Sequence, residues 1–102
     1  IDYRREMVFV AFEQSTMIAE MRLYWDINRN ELEFAIMVAP SAQGSGLAGR
    51  LMEKTIRYAQ ALKIKAIVAD VLPENAAMLG LAKRFGFEMH HEDDIMKLIK
   101  SV

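Results

Sequence analysis

Cysteine is absent from the 102 residues, which excludes disulfides, thiolate catalysis and cysteine-ligated metal and leaves the fold to its core alone. That absence fits a cytoplasmic protein. Long hydrophobic runs are also missing. Apolar stretches such as residues 35–39 fall far short of the roughly 20 residues that span a bilayer, so neither a membrane segment nor a signal peptide is expected. Charge of one sign is lacking too: 13 Lys and Arg face 14 Asp and Glu, for a net charge of -1. Without a basic stripe there is no electrostatic footprint for nucleic acid. Internal repeats and low-complexity linkers are missing as well. The chain opens on Ile1 and enters a strand-like run by Met7, as expected of a piece of a longer protein.

What is present is a single domain over residues 1–102, with 53% hydrophobic and 26% charged residues. A domain of this size buries roughly 60–70% of the surface its unfolded chain exposes. Residues 7–12 (MVFVAF) and 17–25 predict two antiparallel strands around the polar turn at residues 13–16. Asp26, Asn28 and Asn30 mark the next reversal. Beyond it, residues 31–39 alternate, with Leu32, Phe34, Ile36 and Val38 set against Glu31, Glu33, Ala35 and Met37. A slip of one residue would turn the apolar set outward, so the pattern pairs Glu33 with Tyr24, Ala35 with Arg22 and Met37 with Glu20, with a bulge allowed near Val38.

Pro40 ends that strand, and the period then changes. Leu47, Leu51, Thr55, Tyr58 and Leu62 make a helical stripe over residues 44–63, reinforced by Ala48, Met52, Ile56 and Ala59. Arg50, Glu53, Lys54, Arg57 and Gln60 form the water-facing side, with Glu53 and Arg57 at a favourable four-residue spacing. Residues 65–72 (KAIVADVL) read as a strand parallel to the one before the helix. A second, shorter helix opens at Pro73, Glu74 and Asn75, buries Met78, Leu79, Ala82 and Phe85, and stops at Gly86 in a left-handed cap. Residues 87–90 and 95–99 complete the sheet as a final pair of strands. His90 and His91 are neighbours on a strand and point to opposite faces, so they are solvated residues and not a metal pair; no metal is expected.

The chemistry concentrates at Gln43, Gly44, Ser45, Gly46, Leu47, Ala48 and Gly49, where a strand hands over to a helix. The first turn of a helix leaves backbone N–H groups unpaired, and glycines let an anion approach them closely. A tight turn with no ligand would use the same residues. The segment lacks the Gly-Lys-Ser/Thr of a Walker loop and the glycine spacing of a dinucleotide fingerprint.

Gln43-x-x-Gly46-x-Ala48 resembles the Gln/Arg-x-x-Gly-x-Gly/Ala signature of the GNAT superfamily of N-acetyltransferases. Asn75, Met78, Leu79 and Gly86-Phe87 resemble the later helix of that family at the expected separation. The likeness runs from Met7 to the C-terminus. More narrowly, residues 2–10 (DYRREMVFV), 33–38 (EFAIMV) and 51–54 (LMEK) resemble the C-terminal acetyltransferase domain of bacterial protein lysine acetyltransferases. In those proteins the domain is joined to an acyl-CoA synthetase-like region and acts on metabolic enzymes. The resemblance implies a GNAT fold of the α/β (α+β) class: a mixed, mostly antiparallel sheet with helices on both faces, here lacking the family's usual N-terminal strand and helices.

It also implies acetyl-CoA as cosubstrate. The backbone of Met37 and Val38 would hold the pantetheine arm, residues 43–49 the pyrophosphate, and Asn75 the pantetheine or a water, while Asn75 also suits a helix cap. Because a lysine amine is protonated at neutral pH, direct attack on the thioester needs a base. Glu33 and Glu20 are the alternatives, with Glu33 favoured, and each is also an ordinary residue of a polar face. Ala82 stands four residues before Gly86, where many members carry a tyrosine that protonates the departing thiolate. The implied function is acetyl transfer to a protein lysine by base-assisted attack. A GNAT acting on a small amine or amino-acid derivative, and a non-catalytic CoA-sensing or interaction module, are the competing readings.

Overall fold

The computed structural model describes residues 4–102. Residues 2 and 3, the start of the nine-residue resemblance, lie outside the described residues. Six strands and two helices follow in the order β1 (Arg4–Glu13), β2 (Thr16–Asp26), β3 (Glu31–Val38), a short 3-10 turn (Pro40–Ala42), α1 (Leu47–Ala61), β4 (Ala66–Val71), α2 (Ala76–Arg84), β5 (Glu88–Glu92) and β6 (Ile95–Ser101). Each strand and α-helix matches an element expected from the sequence to within a few residues; the 3-10 turn was not among those expected. The strands form one sheet in the order β1-β2-β3-β4-β6-β5. All neighbours are antiparallel except β3 and β4. This is the mixed, mostly antiparallel sheet anticipated.

The β2–β3 pairing is the one the apolar alternation dictates: Tyr24 opposite Glu33, Arg22 opposite Ala35, Glu20 opposite Met37. It runs unbroken to Ala19 opposite Val38. The irregularity allowed near Val38 lies instead between β1 and β2, beside Ala11 and Phe12. Asn30 anchors the turn that feeds β3. It takes a left-handed backbone with φ 55°, tolerable for Asn because of its short polar side chain. That side chain accepts from Trp25 Nε1 at 3.2 Å and donates to the Lys63 carbonyl at 3.1 Å, tying the turn to the end of α1.

One face of the sheet is the core. Met21, Leu23, Leu32, Phe34, Ile67, Ala69 and Leu98 are buried there with Leu51, Met52 and Ala59 of α1 and Leu81 and Ala82 of α2. The crossovers β3-α1-β4 and β4-α2-β5 step across the sheet in the same direction. Right-handed connections then set both helices on the same side. Cover is therefore present on one face, and no helix lies over the other among the described residues. Thr55 is buried within this core and remains satisfied, its hydroxyl donating to the Leu51 carbonyl at 2.8 Å.

Two expectations about α1 change. Leu62 falls out of the buried stripe because the helix ends at Ala61 and Lys63 turns left-handed, leaving Leu62 exposed. Lys54 does not point only to water: its Nζ lies 4.9 Å from the Phe9 ring, which meets Tyr58 edge-on. Glu53 and Arg57 form no ion pair among the described residues.

α2 closes as expected. Gly86 at φ 79° lets its N–H reach the Lys83 carbonyl and that of Phe87 reach Ala82, the paired bonds of a Schellman cap. His90 and His91 are exposed on β5. Among the described residues no helix is long and apolar enough to cross a membrane.

Candidate functional site

β3 and β4 begin as a parallel pair and then part. Their pairing covers only residues 31–33 of β3 against 66–68 of β4, although both strands continue. From Phe34 onward β3 has a partner on one side alone, which leaves a wedge between the two strands.

The direction of each backbone group on β3 follows from one hydrogen bond. Ala39 N–H donates to the Ile18 carbonyl at 2.8 Å, in continuous register with the rest of the pair. Antiparallel strands turn alternate residues toward the partner. The N–H and C=O of Met37 and Ala35 are therefore committed to β2, and those of Phe34, Ile36 and Val38 face the wedge. The Val38 carbonyl accepts from Gln43 Nε2 at 3.2 Å, which leaves its N–H directed into the opening.

The mouth of the wedge meets the N-terminus of α1. Gly44 and Gly46 have φ of 81° and 84°, backbone shapes that a side chain makes costly. With Gly46 as N-cap and no side-chain cap, the N–H groups of Leu47, Ala48 and Gly49 have no partner in the helix; the ladder begins with Arg50 donating to Gly46 at 3.2 Å. No acidic residue sits in this first turn, so nothing offsets the positive end of the helix dipole.

These parts enclose a cleft of about 710 Å³. Val38, Gln43, Gly44, Gly46, Leu47, Ala48, Gly49 and Asn75 all line it. Two of the residues expected there do not. Met37 is 70% exposed on the opposite face, as its place in the β3 alternation requires. Ser45 directs both its N–H and its hydroxyl to the Ala42 carbonyl. Asn75 caps α2, its Oδ1 accepting from Met78 N–H at 3.1 Å, and still borders the cleft.

The carboxylates lie across the sheet from this cleft. Glu33 borders a second recess of about 330 Å³, together with Tyr24, Asp26, Asp70 and Lys97. It sits where β3 and β4 separate. Glu20 is bound by the Arg22 guanidinium beside it. That hydrogen bond, and then the charge attraction, hold Arg22 above the usual arginine range.

Arg84 stands in the last turn of α2. It lines the cleft, with its guanidinium against Gly49 in the first turn of α1. No periodicity could have shown this, because it depends on how two helices lie over the sheet. Ala82 is buried, so its position offers no group to a reacting atom. Among the described residues no cluster of three or more His, Cys, Asp or Glu could hold a metal ion.

A family model described as the acetyltransferase (GNAT) family matches residues 1–87. A curated relative, the L-methionine sulfoximine/L-methionine sulfone acetyltransferase of Pseudomonas aeruginosa, is 34% identical over 61 residues, or 60% of this chain and 36% of that protein. The chain thus spans about a third of the length of this relative. Among solved structures, the GNAT domain of S. lividans PAT superposes with a TM-score of 0.86 at 24% identity, covering 95% of this chain and 61% of that one. The putative acetyltransferase yncA of Salmonella typhimurium, solved with acetyl-CoA, superposes with a TM-score of 0.81 at 22% identity, covering 92% and 63%.

Proposed function

The chain belongs to the acetyltransferase (GNAT) family, and we propose from this premise that it is the cofactor-binding core of an enzyme that moves acetyl from acetyl-CoA to a protein lysine. The observation that carries the reading is the wedge. An unpaired strand edge with the Val38 N–H directed inward leads to a helix N-terminus with three free N–H groups.

The pantetheine arm would lie along residues 34–38 like an added strand, using the wedge-facing groups of Ile36 and Val38. Its pyrophosphate would rest on the N–H groups of Leu47, Ala48 and Gly49. The Val38 N–H would donate to the thioester oxygen as negative charge builds there. The acceptor amine would come from the other face, where Glu33 borders the second recess at the point of strand separation. Glu33, through a water, takes one proton from the ammonium; the amine nitrogen attacks the acetyl carbon, the carbon–sulfur bond breaks with its electron pair going to sulfur, and the second proton, lost from nitrogen as the amide forms, passes to the departing thiolate or to solvent water. Thiols ionise near pH 8.5 in their ordinary state, so departure without a proton donor at Ala82 is chemically reasonable.

The lysine acceptor, drawn from metabolic enzymes, rests on the likeness to bacterial protein lysine acetyltransferases at residues 33–38 and 51–54. The same likeness supports reading residues 1–102 as a C-terminal domain joined to an acyl-CoA synthetase-like region. The cysteine-free sequence fits a cytoplasmic setting. A second reading, acetylation of a small amino-acid derivative, is favoured by the 34% identity to the methionine sulfoximine enzyme.

Acetyl-CoA at 100 times its Kd should stabilise the intact protein by about 2.7 kcal/mol in thermal melts. Gly46→Val should remove that protection, and a protein with no such protection to begin with overturns the proposal. Turnover on protein lysine against turnover on methionine sulfoximine then separates the two acceptors.

A further inference from the structure

Resting on the reading of the cleft as a CoA site, we infer that Arg84 is the side chain that grips the diphosphate, and that Gly49 is glycine in order to admit it. Among the residues that line the cleft, Arg84 alone carries charge. Its guanidinium lies across the first turn of α1, where a β-carbon on Gly49 would collide with its Nη2 atom. Gly49 is buried, and it sits inside a helix where glycine costs roughly 0.5–1 kcal/mol relative to alanine. A helical position that keeps this penalty calls for a reason, and the arginine above it supplies one.

The electrostatics support the same conclusion. A helix N-terminus is the positive end of the dipole and repels a cation. Arg84 is held there with no carboxylate paired to it among the described residues. Its Cζ lies 5.3 Å from the centroid of the adjacent Phe85 ring, a cation–π contact that leaves the guanidinium edge free to donate. Two positive groups facing one gap form a site for an anion between them. A diphosphate meets both, taking paired N–H bonds from the planar guanidinium and backbone bonds from Leu47, Ala48 and Gly49. The Schellman cap at Gly86, two residues on, fixes the end of α2 and hence where Arg84 starts.

The test is calorimetric binding to the intact protein, with three probes: CoA, dephospho-CoA, which keeps the diphosphate but lacks the 3′-phosphate, and pantetheine, which has no phosphate. Arg84→Gln should weaken CoA by about tenfold, the lower end for a hydrogen bond to a charged group since Arg84 is exposed. The same factor should appear with dephospho-CoA, and pantetheine should bind equally to both proteins. Gly49→Ala should weaken CoA comparably while leaving the unliganded protein as stable as before or more so. In the double variant its effect should largely vanish, because the arginine it displaces is already gone.

Unchanged CoA affinity in Arg84→Gln overturns the inference, as does a loss shared by pantetheine, which marks a structural role. A penalty seen with CoA and absent with dephospho-CoA moves Arg84 to the 3′-phosphate and overturns the diphosphate assignment. Fully additive losses overturn the role of Gly49. A wild-type protein that takes none of the three probes overturns the CoA reading itself, a pattern distinct from all of these.

Discussion

On β3, neighbouring residues meet opposite fates. Leu32 and Phe34 are buried under the helices, while Glu33 faces a polar recess and Met37 is 70% exposed. The helix-covered face is apolar, closely packed and ends in an electropositive cleft. The other face carries Glu20, Arg22, Tyr24, Glu33 and Lys97. The comparison teaches that one strand can deliver two reactants from opposite sides, because the period-2 alternation separates the faces and the parting from β4 opens a passage between them.

The largest consequence of that division is catalytic. Glu33→Gln should lower kcat by about 100-fold or more while leaving acetyl-CoA affinity unchanged, as removal of a general base does. Steady-state kinetics on the intact protein with both substrates varied would show it. The same loss from Glu20→Gln, with Glu33→Gln near wild type, would move the base to the neighbouring strand β2. The two positions are roughly 13 Å apart at strand rise, too far to act as one pair.

Next in size is the packed face. Met52→Ala should cost about 2–5 kcal/mol in denaturant unfolding, since the side chain is fully enclosed between α1 and the sheet. Met37→Ala, the same chemical change on the open face, should stay within about 0.5 kcal/mol. Equal costs would mean that the second face is also packed in the intact protein. Between these lies Asn75→Ala. Loss of the cap on α2 should cost about 1 kcal/mol, and any fall in CoA affinity beyond that loss of stability would give Asn75 a direct part in the cleft.

Much of this was readable without coordinates. The element order, the β2–β3 register and the cap at Gly86 follow from local rules that act within a few residues: side-chain alternation, helical period and glycine at positive φ. Gly44 and Gly46 were legible for the same reason. Where the reading fell short, the missing information was long-range. The family resemblance assigns both Met37 and Val38 to the pantetheine arm, but the two differ in which strand their N–H and C=O groups face. Ser45 belongs to the glycine stretch in sequence, yet a hydroxyl bond to Ala42 turns it away from the cleft.

By itself the sequence determined which residues are apolar at which period, where the chain must turn, and that an unpaired helix N-terminus follows β3. Only the tertiary structure decided that β3 and β4 part after three paired residues, that the two carboxylates lie across the sheet from the cleft, and that Arg84 reaches over Gly49. The physical reason is separation along the chain. Periodicity and capping are settled by bonds a few residues apart, whereas the meeting of residues 49 and 84 is set by how two helices pack on one twisted sheet.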